Sequence, residues 1–579
     1  MGLSVGNRSW RAAAAATAVV VSSVASVVGT AHAATTGWVS TATKAVTYRG
    51  IALGATSAST PLHIGVALHP RNAAAMSRAM RAIYTPGSST FHHYLTTAQW
   101  RARYAPSTAA VAAVENYLRA QGFTGITVSG NRLLVSASGT AAKAERAFST
   151  SLVSYRFGGR SAFGNTSPAK VPAALGGTVS SVLGLNNLPL NNIKTQVARP
   201  AAAGSPSTSG LFPAGFETTY NAKSTTTGRK TAVAILTEGD QTSTLASLRY
   251  AEQKEHAPVV PVTVVKVGPQ SSDTAGADEF DMDSQVSTIT SGGVSRLYMY
   301  NIGSLVDSEV EADFAKFVSQ NKARAISASI GGCEINAYLD GSEVATDVLM
   351  QEGAMQGQSL FASSGDNGDA CMYVAAIGAP AGVPGVNWPA SGEFDTAVGG
   401  TSLISDADGN RIQELGWLGS GGGISDVENP GWWTQASDPA FAGQYVTGGR
   451  AVPDISLDAD PNVATPVKVY VGKTISYVGG TSLSSPMMLA FWARMESAHR
   501  NSLGLASIAL YRVYDKVNPG TPVSNPVGLP VVVPSPNPSA VPGYTDIVAG
   551  ANGTYVCTPG YDLVTGIGAP DVAKLTKVI

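Results

Sequence analysis

From residue 211 to residue 579 the sequence predicts an α/β domain, a mostly parallel sheet with helices on both faces, preceded by a small α+β domain. Three observations carry this. Strand-like apolar runs at 232–236, 296–302, 325–330 and 359–364 alternate with helix-like stretches at 243–255, 308–321 and 344–356, the order that lays parallel strands between covering helices. Before residue 200, strand patterns at 62–68 and 132–138 are interleaved with helical ones at 72–83, 109–121 and 140–149. Charge divides the chain near the same boundary: residues 1–204 hold 18 Lys and Arg against Glu115 and Glu145, net +16. The whole chain holds 38 and 39, so residues 205–579 hold 20 against 37, net −17.

In chain order, the first segment is 1–33. Arg8 and Arg11 precede an apolar run over 12–28 and the small-x-small site Ala31-His32-Ala33, the pattern of a cleaved secretion signal. Export to the extracellular space is expected, with no membrane association after cleavage. Residues 34–199 form the α+β domain. A basic segment usually points to nucleic acid, but here the acidic remainder of the same chain is the simpler partner. The two parts are expected to attract at neutral pH and to separate as carboxylates protonate. Residues 200–210 are an Ala/Pro/Ser/Gly linker open to proteolysis, where processing is expected. The Pro/Val/Ser-rich stretch 526–542 is a surface loop.

Gly479-Gly480-Thr481-Ser482-Leu483-Ser484-Ser485-Pro486 runs straight into an apolar helix. A helix N-terminus offers free N–H groups where negative charge can develop, so Ser482 is a candidate nucleophile; a simple helix cap is the alternative. Gly399-Gly400-Thr401-Ser402-Leu403 repeats the five letters but continues into a polar turn, so Ser402 reads as the end of a strand. A serine needs a base, most often histidine, yet beyond residue 204 only His256 and His499 occur, both in surface-like settings. Asp278, Glu279, Asp281 and Asp283 crowd one helical stretch. Glu279 and Asp283 are i and i+4 on one face, where they either share a proton or belong to a solvated acidic face.

These residues together resemble the sedolisins, or serine-carboxyl peptidases, a family with a subtilisin-like sheet and a Ser-Glu-Asp triad. Glu279 and Asp283 match its Glu-x-x-x-Asp helix, Ser482 its Gly-Thr-Ser-x-Ser-x-Pro serine, and 360–368 its strand ending in the oxyanion-hole aspartate, here Asp366. Asn387-Trp388-Pro389-Ala390-Ser391, Gly421-Gly422-Gly423-Ile424-Ser425 and 452–461 match further motifs. The region from Phe91-His92-His93-Tyr94 to Tyr104-Ala105-Pro106-Ser107 resembles the family's propeptide. That implies a pro-enzyme with a kumamolisin-like, ferredoxin-like prodomain acting as intramolecular inhibitor. The adjacent His92 and His93 cannot share a helix face, which argues against metal ligation. The resemblance implies Ser482 as nucleophile, Glu279 as general base and later acid, Asp283 orienting Glu279, and a protonated Asp366 donating to the oxyanion, with an acidic optimum. Two positions depart from the pattern: Ile330 lies near where an aromatic is frequent, and Thr237 where some members carry an acid.

Near the C-terminus, Asp546 and Asp562 with nearby carbonyls suit a hard cation such as Ca2+, or an Asx turn. The resemblance to the sedolisin calcium loop implies one structural ion held by Asp546 and Asp562 side chains and the carbonyls of Ile547, Thr558 and Gly560. Of three cysteines, Cys333 and Cys371 each follow a sheet strand and are expected to pair, leaving Cys557 free. The expected activity is that of a monomeric secreted acid endopeptidase made as an autoprocessed zymogen, with protein or peptide substrates. A tripeptidyl-peptidase, an inert secreted calcium-binding protein and a histidine-dependent serine protease are the alternatives.

Overall fold

The computed structural model describes residues 37–46, 48, 51–157, 160–188, 196–197, 210–371, 383–435, 449–517 and 543–579. The signal at 1–33, most of the linker and the 526–542 loop lie outside them. Residues Gly37–Ile579 form one compact unit.

Its N-terminal part is built from β1 (Pro61–Leu68), α1 (Ala73–Tyr84), α2 (Thr108–Ala120), β2 (Thr124–Val128), β3 (Leu134–Thr140), α3 (Ala141–Phe148) and β4 (Val179–Leu183). The strands lie in the order β2-β3-β1-β4, every pair antiparallel, which is the ferredoxin-like arrangement. Val111, Val114 and Leu118 of α2 and Ala141, Ala144 and Phe148 of α3 cover this sheet in a core of its own. α1 does something else. Its apolar stripe Met76, Met80, Ile83 and Tyr84, at the helical spacing that makes one face, is buried in the core of the C-terminal part.

That part contains β5 (Ala232–Glu238), α4 (Thr242–Lys254), β6 (Val262–Lys266), α5 (Ala277–Ile289), β7 (Arg296–Ile302), α6 (Asp307–Gln320), β8 (Ala325–Ala328), α7 (Ser342–Met355) and β9 (Ser359–Ser363). It continues with β10 (Thr396–Ser405), β11 (Arg411–Gly416), β12 (Ile455–Asp458), the hairpin β13 (Val467–Val471) and β14 (Thr474–Gly479), α8 (Thr481–Ala498) and α9 (Ala506–Val517). The main sheet runs β6-β7-β5-β8-β9-β10, all parallel, with β11 antiparallel and β12 parallel to β10. Strand order reverses between β5 and β8, the switch point beyond whose carboxyl ends α/β sites form.

Two boundaries depart from the sequence expectation in a useful way. The run 325–330 leaves the sheet after Ala328, which frees Ser329 to turn toward α5 and α8. Ser402 lies inside β10 rather than at its end, and its hydroxyl donates to Asp460 Oδ2 at 2.7 Å. Cys333 and Cys371 are disulfide-bonded, and Cys557 is free and buried.

Beside the sheet, the Arg450 guanidinium grips both oxygens of Asp454 at 2.9 and 2.6 Å and also donates to the carbonyls of Gly392, Ala451 and Asp395. Arg450 and Asp454 are 3% and 0% exposed, so removing one partner strands a buried charge. Arg450→Met, made on a Ser482→Ala background to suppress autolysis, is expected to cost about 3–5 kcal/mol in chemical denaturation; a loss below about 1 kcal/mol would show that the pair is not structural.

Candidate active site

Ser482 sits in the first turn of α8, at the end of the hairpin strand β14, and Gly480 before it has φ 100°, a conformation natural to glycine. α8 is buried on every side from Thr481 to Ser497. Pro486 lies within it and has no N–H to donate to the carbonyl four residues back, which belongs to Ser482. The Ser329 hydroxyl lies 3.2 Å from that carbonyl and 2.7 Å from Asp283 Oδ1. One buried hydroxyl therefore ties the nucleophile's backbone to the acidic helix.

The acidic stretch is not a solvated face. In α5, which packs against α8, Glu279, Asp281 and Asp283 are 1%, 1% and 0% exposed. Burial, and next the charge of Glu279, raise Asp283 well above the usual carboxylate range, with Ser329 pulling the other way. Two carboxyls one turn apart in a dry site cannot both ionise, so the pair holds a proton. Asp281 faces elsewhere: it accepts from Ser247 Oγ at 2.9 Å, and burial raises it to about 6.

On the other flank, Asp366 Oδ1 accepts from the Thr481 N–H at 2.7 Å and from the Thr481 hydroxyl at 2.9 Å. Thr481 Oγ1 in turn accepts from the Gly365 N–H at 3.1 Å. Asp366 thus reaches the first turn of α8 through Thr481, and Asp283 through Ser329, while Glu279 lies one turn before Asp283 on the helix packed against α8. Ser329 and the role of Thr481 were missed, although a Pro four residues after the serine signals an orphaned carbonyl that needs a donor. His499 caps the far end of α8, about 25 Å from Ser482 at 1.5 Å per residue, and binds the Thr576 carbonyl at 2.8 Å; His256 is exposed beyond α4. At the departure from the family pattern, the Thr237 hydroxyl donates to Asn301 Oδ1 at 2.8 Å.

In the C-terminal loop, Asp546 Oδ2 accepts from the Gly560 N–H at 2.9 Å, and Asp562 Oδ2 from the Thr558 N–H at 3.1 Å. Burial raises Asp546 to about 6 and Asp562 to about 7. Among the described residues no Lys or Arg pairs with either carboxyl, and no hydrogen bond is donated to the carbonyls of Ile547, Thr558 or Gly560. Among the same residues, no group of three or more His, Cys, Asp or Glu side chains could hold a metal; a hard cation would rest on the two carboxyls and the carbonyls.

A family model described as Pro-kumamolisin, activation domain, matches residues 50–188. Sedolisin of Pseudomonas sp. (strain 101) is 34% identical over 546 residues, covering 89% of this chain and 87% of that protein. The chain belongs to the sedolisin family. Xanthomonalisin of Xanthomonas sp. (strain T-22) is 30% identical over 593 residues, covering 91% of this chain and 66% of that protein. The solved Pseudomonas sedolisin, a serine-carboxyl proteinase complexed with two molecules of pseudo-iodotyrostatin, matches with a TM-score of 0.55 and 32% identity, over 64% of this chain and 97% of that one. This sedolisin-family chain is therefore a serine-carboxyl peptidase zymogen, and its ferredoxin-like part is the propeptide, an intramolecular inhibitor.

The propeptide docks mainly on α7 and the turn before α9. Leu95 N–H donates to the Met355 carbonyl at 2.8 Å, Tyr84 OH to the Ala354 carbonyl at 2.6 Å, and Asn131 Nδ2 to Glu352 Oε2 at 2.8 Å. Despite the opposite net charges, no ion pair crosses this contact among the described residues. His92 stacks on Phe91 and Tyr94, meets the edge of Tyr84, and lies 3.3 Å from Arg512 Nη1.

Burial raises Glu352 to about 8, with the hydrogen bonds from Asn131 and Gln356 pulling the other way. His92 has the opposite sign: burial, then Arg512, lower it to about 4, so protonation between about pH 6.5 and 4 opposes docking. In the Ser482→Ala chain, hydrogen-exchange protection of the Leu95 amide is expected to fall about tenfold more across that window with His92 than with His92→Gln, the full shift being screened on a half-exposed ring. Identical pH dependence in the two proteins would remove His92 as the sensor.

Proposed function

We propose that the mature enzyme is a secreted, acid-active endopeptidase using Ser482, Glu279, Asp283 and Asp366. Ser482 Oγ attacks the substrate carbonyl carbon while Glu279 takes its proton. Asp283, kept protonated by burial and next by its neighbour's charge, orients Glu279. The tetrahedral oxyanion receives a hydrogen bond from a neutral Asp366 and from the Ser482 N–H in the first turn of α8. Glu279 then hands the proton to the leaving amine, the C–N bond breaks, and water repeats the sequence on the acyl-enzyme.

The observation that carries this reading is the convergence on one helical turn: Ser482 is tied through Ser329 to Asp283 on one side, and through Thr481 to Asp366 on the other. Gln196–Val197 pair antiparallel with Gly479 and Val478, so the tail of the propeptide runs beside the strand that leads to Ser482. The apolar run at 12–28 supports export.

At about pH 4, full-length protein is expected to process itself within the 200–210 linker and then to hydrolyse denatured protein, with activity falling as pH rises past the carboxylate range. Ser482→Ala should abolish both, and Glu279→Gln should lower the rate by at least about 100-fold. Processing by Ser482→Ala, or an optimum above neutrality, would overturn the assignment.

For the C-terminal loop we place one structural Ca2+ on Asp546, Asp562 and the carbonyls of Ile547, Thr558 and Gly560. The ion would neutralise two buried carboxylates and tie the 546–547 and 558–562 segments together. Elemental analysis should find one equivalent of calcium, whose chelation lowers the melting temperature of the Ser482→Ala chain. Asp546→Asn should make the melting temperature insensitive to chelator. A calcium-free protein that melts unchanged in chelator would refute the site.

A further inference from the structure

Resting on the role proposed for Asp366, we infer that Thr481 is a positioning residue that decides which oxygen of Asp366 carries the acid proton. Two donors of Thr481, its N–H at 2.7 Å and its hydroxyl at 2.9 Å, converge on the same oxygen, Oδ1. An oxygen whose lone pairs face two donors is the carbonyl oxygen of a neutral carboxyl group, so the proton belongs on Oδ2. The hydroxyl has one hydrogen, and the Gly365 N–H, 3.1 Å away, occupies its acceptor side. That contact turns the hydrogen of Thr481 toward Asp366.

Oδ2 meanwhile lies against the backbone of Gly480, where a Cβ would come within 2.6 Å of it. Any side chain at 480 would push away the oxygen that must point at the substrate. Because Thr481 precedes Ser482 in the same helical turn, donor and nucleophile are aimed by one rigid element. No bond is made or broken by Thr481: it holds the acceptor oxygen, and the O–H on Oδ2 donates to the oxyanion as charge develops there.

A donor to Oδ1 favours the ionised carboxylate more than the neutral acid, which gives the test its sign. Without the hydroxyl, Asp366 keeps its proton to higher pH but no longer on a fixed oxygen. The test compares kcat/KM against pH on a quenched peptide for enzymes matured from the full chain. Thr481→Val is expected to move the alkaline limb up by about one pH unit and to lower the acid plateau about tenfold. Thr481→Ser should restore both. If the valine protein does not accumulate, Thr481→Ala carries the same expectation.

Asp366→Asn separates the two levels of inference. Its amide mimics the neutral acid at every pH, with Oδ1 still accepting and an N–H in place of the Oδ2 proton, so the alkaline limb should vanish. A limb lost in Asp366→Asn but unmoved in Thr481→Val and Thr481→Ala overturns the role of Thr481 alone. A limb unmoved in Asp366→Asn overturns the oxyanion role of Asp366 and this inference with it.

Discussion

Burying two carboxyl groups one helical turn apart is the constraint on which the site depends. Glu279 and Asp283 lie in a helix enclosed on all sides, where a second negative charge would be held without water and against the first. The pair therefore keeps a proton under conditions where isolated carboxylates have lost theirs. A base that is half of such a pair can serve a serine, which usually depends on imidazole. The same dryness means that a mobile or hydrated α5 would forfeit the chemistry, and its packing against α8 is as necessary as its acids.

Much of the fold was legible because its signals are local. Strand and helix periodicities before residue 200 foretold α1, α2, β3 and α3 to within a few residues, and alternation after 211 foretold the parallel sheet. The environment of α5 was not legible. Four acids in six residues look like a solvated face, and only the tertiary position of the helix shows that three are buried. Ser482 could be told from Ser402 because one repeat runs into an apolar helix and the other into a polar turn. Ser329 could not be found from its own neighbourhood, since its role comes from β8 ending early and from a proline on a distant helix. The charge partition was legible as a count, but the individual contacts were not: among the described residues the propeptide docks through hydrogen bonds, stacked rings and an apolar helix stripe.

That stripe links the zymogen's two parts. α1 contributes Met76, Met80, Ile83 and Tyr84 to one buried cluster with the core of the peptidase part and with Ala67, Leu134 and Leu183 of its own sheet, so the propeptide's packing is completed by its partner. Tyr84 reinforces this by donating to the Ala354 carbonyl while accepting from the Leu505 N–H at 2.8 Å, which bridges α7 and the start of α9. A propeptide that lends side chains to the enzyme's core is well suited to assist its folding, and its departure must expose apolar surface on both sides. Release is therefore costly unless something weakens the contact as well, and protonation of His92, which burial and Arg512 disfavour in the docked state, acts in that direction.

The shared proton is the central claim, and infrared difference spectroscopy tests it most directly. The Ser482→Ala chain is compared with Ser482→Ala/Asp283→Asn across the acid range. The account predicts a protonated-carboxyl band that persists well above the ordinary carboxylate range and that disappears with Asp283→Asn. A difference spectrum in which the carboxyl at 283 ionises near pH 4 would contradict it.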